Sequence, residues 1–91
     1  MPVSIIRFEE GPGNKKYTAI LSNGKTVHFG DRRYEQYKDQ TGRGLWSHKN
    51  HLDTKRRADY RKRHKAQTDA QGVPYYQKRF TPAWFSWHFL W

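Results

Sequence analysis

The chain has 91 residues, and its 18 Lys and Arg against eight Asp and Glu give a formal net charge of +10. Because domains usually need about 100–150 residues, this length argues against a multidomain enzyme, and the absence of Cys excludes a disulfide scaffold or a Cys-ligated zinc finger. No apolar run approaches the ~20 residues of a membrane-spanning helix, and the start of the chain becomes charged at Arg7, unlike a signal peptide. We therefore expect a protein of a reducing compartment, without a membrane span and not secreted.

The aromatic content indicates a folded chain. Low hydrophobicity and high net charge favour disorder, but Phe, Trp and Tyr make up 16% of the residues, and such rings bury large areas when they pack. We predict one small α+β domain over residues 1–91, in which an N-terminal three-stranded antiparallel β-meander packs on a basic helix and on a C-terminal aromatic helix.

Residues 3–30 have the pattern of the meander. The segments VSIIRFEE, KKYTAIL and KTVHFG are rich in β-branched and aromatic residues, and the cluster GPGN separates the first two. Asn23-Gly24 predicts a type I′ hairpin turn between the second and third strands, because that turn needs positive φ at both central positions. The side chains expected to share one face of the second strand are Tyr17, Ala19 and Leu21.

The rest of the chain reads as two helices and two connections. Residues 31–52 are expected to be a loop with a short helical turn over 33–38, and residues 53–66 a basic helix with Asp53 as N-cap. In the polar stretch that follows, Tyr75-Tyr76 suggests a short extended piece. Residues 82–91 are expected to form an aromatic helix, with Thr81 as N-cap and Pro at the first helical position.

The basic helix concentrates the charge of the chain. Seven cations and one anion lie between Lys55 and Lys65, so like charges repel along the helix, and nucleic-acid phosphates would relieve that repulsion. A solvated face that only keeps the protein in solution is the alternative. The cations expected to contact phosphate are Lys55, Arg56, Arg57, Arg61, Lys62, Arg63 and Lys65, and the patch is expected to extend to Arg32, Arg33 and Lys49.

The aromatic helix is apolar on nearly every side. One face is expected to pack on the sheet, which leaves other rings for a partner chain or for self-association. Binding to a membrane surface and stacking on bases are weaker alternatives. The rings expected at a partner interface are Trp84, Trp87 and Trp91.

Histidine and aspartate invite a metal or nuclease interpretation, because phosphodiester cleavage needs a general base and usually a carboxylate-bound metal. His48, His51 and Asp53 do not match a compact metal motif, however, and no paired carboxylates stand at a productive spacing. We expect no catalytic residue, no metal and no cofactor. In this interpretation His51 and Asp53 form a hydrogen-bonded corner at the helix start, and His64 packs near the helix end.

Several short motifs together suggest a family. Phe29-Gly30, His51-x-Asp53, Arg57-x-x-Tyr60-x-x-Arg63-His64 and Leu90-Trp91 resemble a family of small basic proteins from nucleocytoplasmic large DNA viruses and some large phages, a domain of unknown function. The resemblance spans roughly residues 15–91, although Thr54 stands where many relatives have Pro and the 31–50 segment is longer. It implies a viral protein without established activity. It also implies a structural constellation of Phe29, Gly30, His51, Asp53, Arg57, Tyr60, Arg63, His64 and Trp91.

The leading prediction is a non-enzymatic viral protein that binds the DNA or RNA backbone without sequence specificity, in the virion or inside the infected cell. The first alternative is a minor capsid or cement protein, whose basic helix meets an acidic capsid surface. The second alternative is a metal-dependent, nuclease-like enzyme.

Overall fold

The computed structural model describes residues 2–91, and it has the predicted α+β architecture: three strands followed by two helices in one domain. A 3-10 turn precedes each helix, at Ser47–Lys49 and at Tyr75–Gln77. The strands are β1 (Ile5–Glu10), β2 (Lys15–Leu21) and β3 (Thr26–Asp31), and the helices are α1 (Thr54–Lys65) and α2 (Pro82–Phe89).

The three strands form an antiparallel sheet in the order β1-β2-β3. Ala19 at the centre of β2 lies opposite Phe8 of β1 and Val27 of β3, and Tyr17 lies opposite Phe29. Since side chains alternate between the two faces of a strand, this register puts the large apolar residues of the sheet on one face. The predicted meander is confirmed.

The hairpin turn between β2 and β3 differs from the predicted type I′ turn. Gly24 has a φ of +85°, but Asn23 is not in the positive-φ region. The Gly24 amide donates to the Leu21 carbonyl at 3.0 Å, and the Leu21 amide donates to the Lys25 carbonyl at 2.9 Å. This is the pattern of a three-residue loop closed by a glycine bulge, so the prediction of type I′ was wrong although the hairpin itself was right.

Helix α2 lies against the sheet and completes the core. Phe85 and Leu90 are almost fully buried, and the Phe85 ring stacks on Phe29 at 5.1 Å. The predicted start of the helix is confirmed: the Thr81 hydroxyl accepts from the Trp84 amide at 3.2 Å, with Pro82 in the first turn. The core is therefore a set of rings held between one sheet face and one helix.

The basic helix sits further from the sheet. Asp53 caps it as predicted, because its Oδ1 accepts from the amides of Lys55 at 2.9 Å and Arg56 at 3.1 Å. Helix α1 packs on the 3-10 turn Tyr75–Gln77 and, through Tyr60, on Trp91 beyond the end of α2. The main partner of the sheet is α2, so α1 is the outer layer.

Both connections depart from the sequence prediction. Residues 33–38 contain no helical turn; instead Gln36 bridges to Asn50, and the helical turn lies at Ser47–Lys49. Long-range partners decide this, since the Lys38 amide donates to the Leu90 carbonyl at 3.0 Å. Residues 75–77 form a 3-10 turn where Tyr75-Tyr76 suggested an extended piece.

Candidate nucleic-acid interface

The outer face of α1 carries five exposed cations. Lys55 forms an i,i+4 pair with Asp59 at 3.2 Å, and Arg56 pairs with Glu35 at 3.2 Å. Exposed pairs of this kind contribute little to stability and exchange easily. The other three, which have no acidic partner within residues 2–91, are Lys62, Arg63 and Lys65.

Two of the predicted phosphate contacts face inward instead. The Arg57 guanidinium lies 4.2 Å from the centre of the Tyr37 ring. The Arg61 guanidinium lies 5.3 Å from the centre of the Trp87 ring, and its Nη2 donates to the backbone oxygen of Trp91 at 3.0 Å. Cation–π contacts of partly buried Arg stabilise packing, so the structure places both residues between α1 and the rings beneath it.

The three cations expected to extend the patch are bonded near the strand ends. Arg32 donates through Nε to the Lys15 carbonyl at 2.7 Å and through Nη2 to the Gly11 carbonyl. Arg33 pairs with Asp31 at 2.8 Å and, through that hydrogen bond, lowers the pKa of Asp31 to about 2. Lys49 donates through Nζ to the Arg32 carbonyl at 2.5 Å. All three groups are thus engaged in contacts near the strand ends rather than added to the exposed cations of α1.

Under α1 lies a continuous stack of rings. Tyr60 stacks on His64 at 3.9 Å and on Trp91 at 4.2 Å, and Trp91 contacts the His51 ring at 5.2 Å. Burial raises the pKa of Tyr60 to about 12. Burial also lowers the pKa of His64, so this stack is uncharged at neutral pH. The structure thus brings these four members of the expected constellation together.

The start of α1 is the hydrogen-bonded corner expected from the sequence. The Asp53 amide donates to His51 Nδ1 at 2.9 Å, while the Asp53 carboxylate caps the helix. The backbone amides of Arg56 and Lys55 lower the pKa of Asp53. Both side chains are therefore occupied in fixing the helix start.

Phe29 and Gly30 lie on β3, on the sheet side of the constellation. Gly30 has a φ of +76°, and a Cβ there would stand 3.0 Å from Leu90 Cδ1 and 3.0 Å from Lys16 Cβ. A larger residue would meet both steric and backbone strain. The glycine thus lets β3, β2 and the residue before Trp91 approach closely.

The tryptophans proposed for a partner interface all have ring partners within the chain. Trp87 stacks on Tyr76 at 3.9 Å, and Trp84 meets Phe85 edge-on at 5.1 Å. Trp91 is the ring that stacks on Tyr60. All three are partly buried rather than exposed, so their main contacts are internal.

An open cleft of about 680 Å³ lies where α1, α2 and the end of the sheet meet. Its walls carry both charge and rings, and sequence reasoning assigned no role to its sheet side. The Lys15-Lys16 pair at the start of β2 indicates charge at this place. The pair alone does not show which lysine is exposed, because neighbouring side chains of a strand point to opposite faces. The cationic lining residues are Lys15, Lys16, Arg56 and Arg63, and the acidic ones are Asp31 and Glu35. The ring-bearing lining residues include Tyr34, Tyr60, His64 and Trp91.

Beside this cleft is a buried polar network that the alternation pattern did not predict. Lys16 is 2% exposed and donates through Nζ to Gln36 Oε1. Burial and the nearby Lys49 lower the pKa of Lys16 to about 8. Gln36 in turn donates through Nε2 to the Trp46 carbonyl and to Asn50 Oδ1, both at 2.7 Å. Segment 36–50 therefore covers the second face of β2.

Asp39 is the centre of the same network. Tyr17 donates its hydroxyl to Asp39 Oδ2, and the carboxylate also accepts from the amides of Thr41 at 3.1 Å and Trp46 at 3.2 Å. Burial would raise the pKa of Asp39, but these hydrogen bonds outweigh it and lower the pKa. Asp39 is thus an ionised carboxylate held by donors from three segments.

Within residues 2–91 no group of three His, Asp or Glu side chains is arranged to hold a metal ion. Over the same residues, neither helix has the length and apolar character needed to cross a bilayer.

A family model described as a family of unknown function (DUF5754) matches residues 11–41. The match covers roughly a third of the chain, and the chain is similar to that family over β2, β3 and the segment that carries Gln36 and Asp39. No curated protein and no solved structure matches the chain.

Proposed function

We propose that this protein binds nucleic acid through the phosphate backbone, without sequence specificity and without catalysis. The observation that carries the proposal is a group of three cations at the end of α1. These residues, Lys62, Arg63 and Lys65, are exposed and have no acidic partner in the described residues. Lys55 and Arg56 lie on the same helix in weak, exposed pairs. Five cations are therefore available to a polyanion on one helix.

Phosphates complement this helix for a physical reason. The last turn of α1 holds Lys62, Arg63, His64 and Lys65, so its like charges repel one another at close range. A nucleic-acid strand neutralises them and releases its own condensed counterions, a gain that falls as salt rises. The inward position of Arg57 and Arg61 fits the same picture, because those two anchor the helix while the others face the solvent.

The test is a salt titration of DNA and RNA binding with two charge-matched triple variants. The first carries Lys62→Glu, Arg63→Glu and Lys65→Glu on α1. The control carries Lys25→Glu, Lys38→Glu and Arg43→Glu, three exposed cations on the β2–β3 loop and in segment 38–43. Both variants lower the net charge equally, so they separate the helix surface from general charge.

We expect the α1 variant to bind weakly at low salt and to have a log–log salt slope smaller by about three. The control variant should keep most of the affinity and most of the slope. Equal losses in both variants would show that only the overall charge matters. Absence of wild-type binding at low salt would refute the proposal.

The non-catalytic part is supported by the positions of His51 and Asp53. Both side chains are bonded to the start of α1, and His51 lies against Trp91. We expect DNA and RNA to remain intact when incubated with the protein and Mg²⁺ or Mn²⁺. Cleavage that disappears in a folded His51→Ala or Asp53→Asn variant would instead support the nuclease alternative.

The biological setting in the proposal is viral. The motif resemblance supports it, and we expect the protein to accompany the genome in the virion or in the infected cell. Mass spectrometry of purified particles, with nucleic-acid crosslinking, tests this placement. Presence in particles without any crosslink to nucleic acid would favour the minor capsid or cement alternative.

A further inference from the structure

We propose that the cleft between α1, α2 and the sheet end holds one unpaired nucleotide, so that the protein prefers single-stranded nucleic acid to a duplex. The inference rests on the proposed nucleic-acid function and names the form of nucleic acid that this surface takes. Tyr34 would stack on the base, while Arg63 and Lys15 contact the flanking phosphates.

The exposed ring of Tyr34 is the first reason. Tyr34 lines the cleft and is 65% exposed, the highest value among the exposed large hydrophobic residues. The Arg33 guanidinium lies 5.7 Å from its centre, and no other aromatic ring stacks on it within the described residues. Solvent-exposed aromatic rings that stack on bases are the usual feature of single-strand binding sites.

The size of the cleft is the second reason. Its volume of about 680 Å³ lies within the range of roughly 300–1,000 Å³ found for small-ligand sites. A single nucleotide fits such a volume. A paired base can enter only after it has been flipped out of the duplex, which costs the energy of unstacking and unpairing.

The balance of charge in the cleft is the third reason. Its two carboxylates already have partners, since Asp31 pairs with Arg33 and Glu35 pairs with Arg56. The lining cations without a carboxylate partner in the described residues are Lys15, Lys16 and Arg63.

Lys16 differs from the other two lining cations because it is buried. Lys16 is 2% exposed, and its ammonium donates to the neutral Gln36 amide oxygen. Asp31, Asp39 and Glu35 already act on this ammonium as counter-charges, so the lining cations that an anion in the cleft can contact directly are Lys15 and Arg63.

The cleft also opens onto the α1 surface. Arg56, Arg63 and Trp91 line both the cleft and a neighbouring groove of about 520 Å³, whose other walls are Asp59 and Lys62. A strand that leaves the cleft would therefore pass Arg56, Arg63 and Lys62, and Asp59, which pairs with Lys55, is the acidic residue among the walls of the groove.

The experiment compares labelled oligothymidylate, which cannot pair with itself, with a duplex of the same length. Tyr34→Ala removes the stacking ring, Tyr34→Phe keeps it, and Tyr75→Ala removes another exposed Tyr that does not line the cleft. Since both positions are exposed, unchanged thermal unfolding is expected for all three variants and serves as the fold control.

We expect wild type and Tyr34→Phe to bind the single strand more tightly than the duplex. Tyr34→Ala should lose roughly tenfold in single-strand affinity with unchanged duplex binding and salt slope, whereas Tyr75→Ala should match wild type. Equal wild-type affinity for both forms, or equal losses for Tyr34→Ala and Tyr75→Ala, would overturn this inference and leave backbone binding standing. Failure to bind either form at low salt would overturn both.

Discussion

The β2 side of the molecule buries polar and charged groups, whereas the α1 side buries aromatic rings. On the β2 side, Lys16, Gln36 and Asp39 are each at most 9% exposed and are joined by directed hydrogen bonds. On the α1 side, Tyr60 and Trp91 lie nearly parallel at 4.2 Å. Two regions of one small domain thus bury their side chains with different interactions, hydrogen bonds in one and ring stacking in the other.

The two regions should differ in how well they tolerate substitutions. A buried polar network is sensitive to the loss of any partner, because a buried polar group without a hydrogen-bond partner keeps the cost of desolvation and has no compensating bond. A ring stack depends on contact area and dispersion, so one altered member weakens it by degrees. The family match over residues 11–41 contains Lys16, Gln36 and Asp39 and none of the rings that stack under α1, which are His51, Tyr60, His64 and Trp91.

The largest expected effect is the loss of the carboxylate at the centre of the network. Asp39→Ala leaves the Tyr17 hydroxyl and two backbone amides without their acceptor, so the free energy of unfolding should fall by about 3–5 kcal/mol. Urea unfolding measures it. If the variant does not fold, Thr41→Val tests the same network, because it removes one hydroxyl donor to Asp39 at 2.7 Å and should cost about 1 kcal/mol.

Asp39→Asn is the matched control, since it keeps the shape and one acceptor while it removes the charge. Its loss should lie between those of the alanine variant and wild type. A cost below about 1 kcal/mol for Asp39→Ala would mean that the network contributes no more than a surface cluster, and the contrast between the two regions would fail.

A smaller effect is expected from breaking the ring stack. Tyr60→Leu keeps an apolar side chain but removes two stacked pairs, with His64 and Trp91, and should cost about 1–3 kcal/mol. Tyr60→Phe keeps the ring and should cost less. Denaturant unfolding of both variants is the measurement, and equal costs would show that the hydroxyl rather than the stack matters.

Acid should separate the histidine rings of the α1 side from the carboxylates by pH. Burial, with Arg56 and Arg63 nearby, lowers the pKa of His51 and His64 below 6.5. Both rings therefore take up protons preferentially in the unfolded chain, so stability is full above pH 6.5 and falls as the pH drops through the folded values. The depressed pKa values of Asp39, Asp31 and Asp53 act below 3.8, where the stabilising contributions of these carboxylates are lost.

A chemical-denaturation series between pH 7 and pH 3 should show these two steps. His64→Gln is expected to reduce the upper step and leave the lower one, and His48→Gln, on an exposed turn residue, is the matched control. A single step below pH 4 in the wild-type protein would contradict the role given to the histidine rings.

Local chemistry explains why so much of the fold could be predicted. The β-branched and aromatic runs, the Asp53 cap and the Thr81-Pro82 helix start act within a few residues, and all appear in the structure. The predicted helical turn at 33–38 failed because its backbone is committed to residues far along the chain, such as Leu90.

The candidate site was predictable in composition but not in geometry. The concentration of cations on α1 follows from the sequence, whereas the inward turn of Arg57 and Arg61 depends on the rings of Tyr37 and Trp87. The place of Tyr34 in the cleft likewise depends on how its loop meets α1. The spacing of residues along one helix does not show which face of that helix packs on another segment of the chain.

The sequence by itself determined the three strands, the two helices and the segment that carries the charge, because strand propensity, capping and residue type are local properties. Only the tertiary structure decided which members of a residue type are buried. Lys15 is exposed while Lys16 is sealed under Gln36, twenty positions away. Arg63 faces solvent while Arg61 reaches Trp91, thirty positions away. Burial depends on partners that chain folding brings together, and those partners have no fixed spacing in sequence.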